Sequence, residues 1–131
     1  MLIYLDTAIV IYAIEGAPAF RGRALARLFA ARSAGDDLLT SDLTRAECLV
    51  MPIRTGDIQL QIDYLTFLSQ TLTVSHDTAV FDRMASIRAA NNYGVADALH
   101  LATAILNKCD LFLTNDNRLA GFAQVAVELL P

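Results

Sequence analysis

The sequence predicts an α/β fold: a five-stranded, mainly parallel sheet flanked by helices in an α/β/α sandwich. Five short apolar runs are separated by longer stretches with helical spacing, and strands alternating with helices give a parallel sheet. The chain has 131 residues, which suits a single domain over residues 1–131 with one sizeable buried interior. It is 55% hydrophobic and only 18% charged, a balance that excludes intrinsic disorder.

Leu2 to Leu5 is an apolar run that ends at Asp6 and reads as a buried strand. Thr7 is the expected cap of an apolar helix reaching Glu15 and Gly16. Pro18 opens a second helix through Arg32, with Ala24, Leu25, Leu28 and Phe29 as its core face. Asp37 to Ser41 is the second strand. Ser41 or Asp42 caps a helix through Leu43, Ala46, Glu47 and Val50 that Pro52 is expected to stop. Thr55 reads as the cap of the next helix, which runs to Ser69. Leu72 to Val74 is the third strand, and Asp77 caps a helix ending near Asn91 and Asn92. Gly94 breaks the chain before a helix over Asp97 to Lys108. Leu111 to Thr114 is the fourth strand, Asn115 to Gly121 a short helix, and Val125 to Leu129 the last strand.

Composition narrows the function classes. Mean hydropathy is +0.43, yet the longest apolar run, Ala8 to Ile14, falls far short of the ~20 residues a bilayer span demands. The opening Met1-Leu2-Ile3-Tyr4-Leu5-Asp6 lacks a basic segment and meets an acid at once, so no signal peptide is expected. Cys48 and Cys109 lack CxxC spacing, which argues against a disulfide framework or zinc site and for two thiols in a reducing cytoplasm. Ten basic against 14 acidic residues leave a net charge of −4, which taken alone disfavours a nucleic-acid partner. The distribution says more. Gly16 to Ser33 holds Arg21, Arg23, Arg27 and Arg32 and no acid, which makes either a phosphate-holding stripe or a solvated helix face.

Parallel sheets bind ligands outside the carboxyl ends of their strands. Asp6 ends the first strand, Asp116 follows the fourth, Glu47 lies in the helix after the second, and Asp97 opens the helix before the fourth. If the first and fourth strands are neighbours, four carboxylates from distant segments converge. Ala96-Asp97-Ala98-Leu99-His100-Leu101-Ala102-Thr103-Ala104 is almost wholly small and apolar, so an acid there is costly unless paired or metal-bound. Grouped carboxylates need an offsetting cation, and oxygen donors suit Mg²⁺ or Mn²⁺. Such an ion activates water and stabilises displacement at phosphorus. Singly, each acid has an ordinary use: Asp6, Asp97 and Asp116 as caps, Glu47 as a partner of Arg45 or Arg54. His100, one turn after Asp97, either reaches the same site or is a satisfied core imidazole, and His76 reads as loop or cap. The absence of GxSxG, GxxxxGK[ST] and GxGxxG motifs argues against serine hydrolases and nucleotide-binding folds.

Four pieces together are specific: Ile3-Tyr4-Leu5-Asp6-Thr7, Arg45-Ala46-Glu47, Ala96 to Ala104, and Leu113-Thr114-Asn115-Asp116. In their order and spacing the chain resembles the PIN-domain ribonucleases, and within them the VapC-like toxins of type II toxin–antitoxin modules. The resemblance implies that Asp6, Glu47, Asp97 and Asp116 form an acidic catalytic and metal-binding quartet. Asp6, Asp97 and Asp116 would be the main contacts, with Glu47 reaching the ion through water or placing the attacking water. Thr7, Thr114 and Asn115 would support them, and Arg21, Arg23, Arg27 and Arg32 would hold the RNA backbone. It further implies Mg²⁺- or Mn²⁺-dependent endonucleolytic cleavage of RNA in the cytoplasm, a homodimer, and a cognate antitoxin. Where many relatives carry a small polar residue two after the first aspartate, this chain has Ala8. A catalytically silent binding module of the same fold and a nuclease acting on DNA are the competing expectations. The helix from Thr55, with Ile58, Leu60, Ile62, Tyr64, Leu65, Phe67 and Leu68, has more apolar positions than one buried stripe needs, and is expected at a homodimer or antitoxin interface.

Overall fold

The computed structural model describes residues 1–131. Strands β1 (Leu2–Leu5), β2 (Asp37–Ser41), β3 (Leu72–Val74), β4 (Leu111–Thr114) and β5 (Val127–Leu129) form one all-parallel sheet in the order β3-β2-β1-β4-β5. The helices are α1 (Thr7–Glu15), α2 (Pro18–Ser33), α3 (Asp42–Thr55), α4 (Ile58–Ser69), α5 (Thr78–Ala90) and α6 (Val95–Leu106), with a short 3-10 turn at Asn117–Leu119. No helix is long and apolar enough to cross a membrane.

Successive strand side chains point to opposite faces, and here both faces are covered. Ile3, Leu5, Leu38 and Leu113 pack with Ile9, Val10, Ala13, Ala24 and Leu28 from α1 and α2. Tyr4, Leu39 and Phe112 pack on the other side with Val80, Ile87, Ala98, Leu101 and Ala102 from α5 and α6. Burial on both faces explains why the central strands read as continuous apolar runs rather than alternations. Helix α6 is buried continuously from Ala98 to Thr103 and on to Ala104, because its alanines let it lie close against neighbours on several sides.

The topology fixes where a site can form. The chain leaves β1 outward through β2 to β3, then crosses back to lay β4 on the other side of β1. That reversal opens a crevice beyond the carboxyl ends of β1 and β4. The register pairs Leu5 with Leu113, so Asp6 and Thr114 are the next residues out, and the Asp6 N–H donates to the Leu113 carbonyl at 2.9 Å.

Several local expectations are corrected. Asp6, not Thr7, caps α1, accepting from the Thr7 N–H. Asp57, not Thr55, caps α4, accepting from the Leu60 N–H. Helix α6 opens at Val95 behind Gly94, which places Asp97 inside the first turn. The region after β4 yields only the turn Asn117–Leu119, and β5 starts at Val127. Pro52 does not stop α3, which continues to Thr55. A proline in the last turn forfeits a single N–H, while the helix closes where Gly56 takes a left-handed φ of 69° and the Asp57 N–H reaches the Pro52 carbonyl at 2.9 Å. On α2 the core face is Ala24, Leu28 and Ala31, and Leu25 and Phe29 lie 42% and 74% exposed. Each sits one position, about 100° of helix rotation, beyond the buried stripe.

Candidate active site

Asp6 is 8% exposed, and a carboxylate so far from water needs fixed partners. Its Oδ1 accepts from the Thr7 N–H at 2.9 Å and its Oδ2 from the Thr114 hydroxyl at 2.7 Å. Thr114 Oγ1 in turn accepts from the Asp116 N–H at 3.1 Å. One hydroxyl thereby ties the residue after β1 to the residue beyond β4.

A second chain of bonds runs inward. Glu47 projects from α3, and its Oε1 accepts from the Thr7 hydroxyl at 2.7 Å and meets His100 Nε2 at 2.6 Å. His100, 1% exposed on α6, meets the Tyr4 hydroxyl through Nδ1 at 2.6 Å, and that hydroxyl meets Ser41 Oγ at 2.9 Å. One ordering that satisfies every atom runs from the Ser41 hydroxyl to Tyr4, from the Tyr4 hydroxyl to His100 Nδ1, and from Nε2–H to Glu47. Burial pushes the Tyr4 phenol well above its usual range despite the nearby hydroxyls of Ser41 and Thr44, so it stays a donor. Burial also pushes Glu47 upward, but the hydrogen bonds from His100 and Thr7 outweigh it, and the carboxyl lies below its ordinary value.

The outer half of the site is held by charge. Arg118 Nε lies 3.0 Å and 3.1 Å from the two Asp116 oxygens, and its Nη2 lies 2.5 Å from Asp116 Oδ2 and 3.1 Å from Asp97 Oδ2. The guanidinium therefore bridges Asp97 and Asp116 while remaining 67% exposed. Its hydrogen bonds hold the Asp116 carboxyl below the usual range. Asp97 is pushed the other way, by burial first and then by the like charge of Asp6, with Arg118 opposing and Asp116 adding to the rise. A cavity of about 440 Å³ opens beside this pair, lined by Ala8, Tyr12, Asn115, Asp116, Asn117 and Arg118.

Asp6, Glu47, Asp97 and Asp116 thus belong to one continuous polar network, with Thr7 and Thr114 inside it. Asn115 is turned aside, its Nδ2 donating to the Tyr12 hydroxyl at 3.1 Å. The α2 arginines lie apart from the network. Arg27 pairs with Glu128 on β5 at 2.5 Å, Arg21 donates to the Ala13 carbonyl, Arg32 to Gln70, and Arg23 to Ala19 and Pro131. Three participants escaped the sequence reading. Tyr4 passes for one more apolar residue of β1, Ser41 for a helix cap, and Arg118 for a loop residue. The only available signal for Arg118 is its place two residues beyond Asp116.

The donor set suits a hard divalent ion, since it offers carboxylate oxygens and no thiolate, and the negative charge of Asp6 and Asp116 on Asp97 is only partly offset by Arg118. No three acidic or imidazole side chains converge closely enough to hold one ion as the side chains stand. Arg118 is the cation between Asp97 and Asp116 in this arrangement.

Comparison with protein families supplies the remaining observation: the PIN domain model matches residues 3–127. The chain belongs to the PIN-domain family. Nucleases with a PIN domain generally use divalent metal ions. Solved PIN folds superpose closely. The VapBC2 complex of Rickettsia felis bound to a promoter DNA fragment matches with a TM-score of 0.85 at 19% identity over 100% of both chains. DNA-bound VapBC from Salmonella typhimurium gives 0.74 at 19% over 100% of both. VapC20 of Mycobacterium tuberculosis, a toxin that cleaves the sarcin–ricin loop, gives 0.73 at 17% over 95% of this chain and 98% of its own. At these identities the likeness is one of fold. Comparison with curated protein sequences returns no match.

Proposed function

We propose that this PIN domain is a metal-dependent endoribonuclease, the toxin of a cytoplasmic toxin–antitoxin pair, with Asp6, Glu47, Asp97 and Asp116 as its catalytic acids. The observation that carries the reading is the joining of these four acids, drawn from β1, α3, α6 and the β4 exit, into one hydrogen-bonded network at the sheet's switch point. Asp6, Asp97 and Asp116 would hold a Mg²⁺ or Mn²⁺ ion once their side chains turn toward it, and that ion would supply charge stabilisation at the scissile phosphate and an acidified water. Thr7 and Thr114 hold Asp6 in one orientation. Glu47, kept ionised by His100 and Thr7, orients a water as an acceptor. Asp97 is pushed upward by burial and by the negative charge of Asp6, which strengthens it as a base. Arg21, Arg23 and Arg32 on α2 would have to leave weak backbone contacts to follow an RNA strand, and Arg27 an ion pair.

The test incubates the purified chain with a sarcin–ricin-type RNA hairpin and Mg²⁺ or Mn²⁺, beside EDTA and Asp97→Asn controls. Cleavage abolished in both controls is expected, and equal cutting by wild type and Asp97→Asn overturns the assignment. Competition with single-stranded DNA decides between RNA and DNA. The Arg118-bridged arrangement favours one second reading, a silent binding module, which predicts no cleavage and no heat on titration with millimolar Mn²⁺.

Exposed Val50, Met51, Ile53, Ile58 and Ile62 gather on the α3–α4 hairpin, and this apolar surface supports a homodimer. A monomer in sedimentation at tens of micromolar overturns it. A cognate antitoxin is inferred from the VapBC complexes whose fold the chain shares.

A further inference from the structure

Arg118 raises a question that the nuclease reading leaves open. Two acids with the oxygen donors a divalent ion takes are instead bridged by an arginine of the same chain. Four separate contacts aim the guanidinium, three to Asp116 and one to Asp97, and the Arg118 N–H adds a fifth bond to Asp116 Oδ1 at 2.9 Å. The backbone bond belongs to the 3-10 turn that Asp116 caps, so the turn itself delivers the side chain to the carboxylates. A guanidinium makes planar, forked bonds to a carboxylate, and it carries one positive charge where a metal ion carries two. Asp116 cannot offer the same oxygens to both.

We propose that Arg118 is the resident counter-cation of the site: it holds Asp97 and Asp116 when no ion is bound, must leave them when a divalent ion enters, and so sets the site's metal affinity. This rests on the nuclease reading of the four acids. The exchange is cheap on the arginine side, because Arg118 is 67% exposed and returns to water and to the mouth of the cavity it lines. The backbone under the acids is fixed, Asp97 on α6 and Asp116 on the turn, so only their side chains have to turn toward the ion. Direct competition follows: free energy that Arg118 gives the metal-free site is subtracted from ion binding. Without the guanidinium the carboxylates repel each other unopposed, and an ion relieves more repulsion by binding.

Calorimetric titration of Mn²⁺ alone at pH 7.5, without RNA, tests this on wild type, Arg118→Gln, Arg118→Lys and Asp97→Asn. Thermal melting of each variant checks that it folds. Arg118→Gln is expected to bind Mn²⁺ roughly three- to tenfold more tightly than wild type, in line with two exposed ion pairs removed. Arg118→Lys, which keeps the charge and loses the fork, should fall between the two. Nitrogen NMR of the Arg118 side chain supplies a second readout, with Mg²⁺ shifting the Nε resonance toward that of a solvated arginine. Equal or weaker Mn²⁺ binding by Arg118→Gln, with Asp97→Asn still impaired, overturns the counter-cation role and leaves the metal site standing. No Mn²⁺ binding by any variant, wild type included, overturns the metal reading and this proposal together.

Discussion

The two halves of the site solve the same problem in opposite ways. Inward of Asp6, the polar side chains pair with one another: Tyr4 with Ser41 and His100, His100 with Glu47, Asp6 with Thr7 and Thr114, all of them buried except the half-buried Glu47. Outward, Asp97 and Asp116 share an exposed arginine. A buried network cannot exchange partners without leaving a donor or acceptor unsatisfied, whereas an exposed ion pair can trade one cation for another through water. The inner half therefore holds Asp6 and Glu47 in fixed orientations, while the outer half has a cation that solvent can reach.

The sharpest way to break that contrast is His100→Ala. It takes one of the two partners of the Tyr4 hydroxyl, leaving Ser41, removes the Nε2 partner of Glu47, opens a hole against α6 and should lower stability by about 3 kcal/mol in urea unfolding. A loss below about 1 kcal/mol would mean the inner network is not structural. Tyr4→Phe keeps the ring that stacks on Phe112 at 5.5 Å between centroids and removes only the hydroxyl, so a loss of about 1–2 kcal/mol is expected by the same measurement. Arg118→Ala should leave the urea midpoint nearly unchanged, since it removes only exposed pairs. If it costs as much as His100→Ala, the outer half is fixed too.

The smallest effect is a titration, and its direction sharpens the comparison. Glu47 and Asp116 have carboxyls below their ordinary values in the folded chain. Each contributes stability present above its unfolded pKa and lost as pH falls through the folded one. Asp97 is raised, so its contribution is fully present below its unfolded pKa and is lost as pH rises through its folded one. Carbon NMR of the side-chain carboxyls should find Asp97 titrating above Asp116, and Arg118→Gln should move both upward. The reverse order would remove the electrostatic distinction drawn here.

The fold was legible because both-face burial leaves a plain mark: strands β1 to β4 have the bounds their apolar runs predict. The acids were legible for a related reason, since a carboxylate directly after an apolar strand is conspicuous. Helix starts were less so. In Asp6-Thr7 and Thr55-Gly56-Asp57, two capping types stand within three residues, and only the backbone path decides between them. The inner network was hidden because Tyr4 is apolar by pattern and polar by a single atom. Arg118 was hidden because its partners, Asp97 and Asp116, depend on a side-chain path that no periodicity encodes. The α2 stripe shows the converse: four arginines in sequence look like one surface, yet Arg27 is drawn to Glu128 on β5.

The bond from Thr114 to Asp6 joins residues 108 positions apart. During synthesis the amino-terminal acids emerge first, and chains grow at roughly 5–20 residues per second. A nascent polypeptide holding Asp6, Glu47 and even Asp97 still lacks the strand that orients the first of them and the arginine that neutralises the last. The four-acid network is therefore incomplete until β4 and the turn after it have been made, a delay written into strand order rather than into any separate inhibitor.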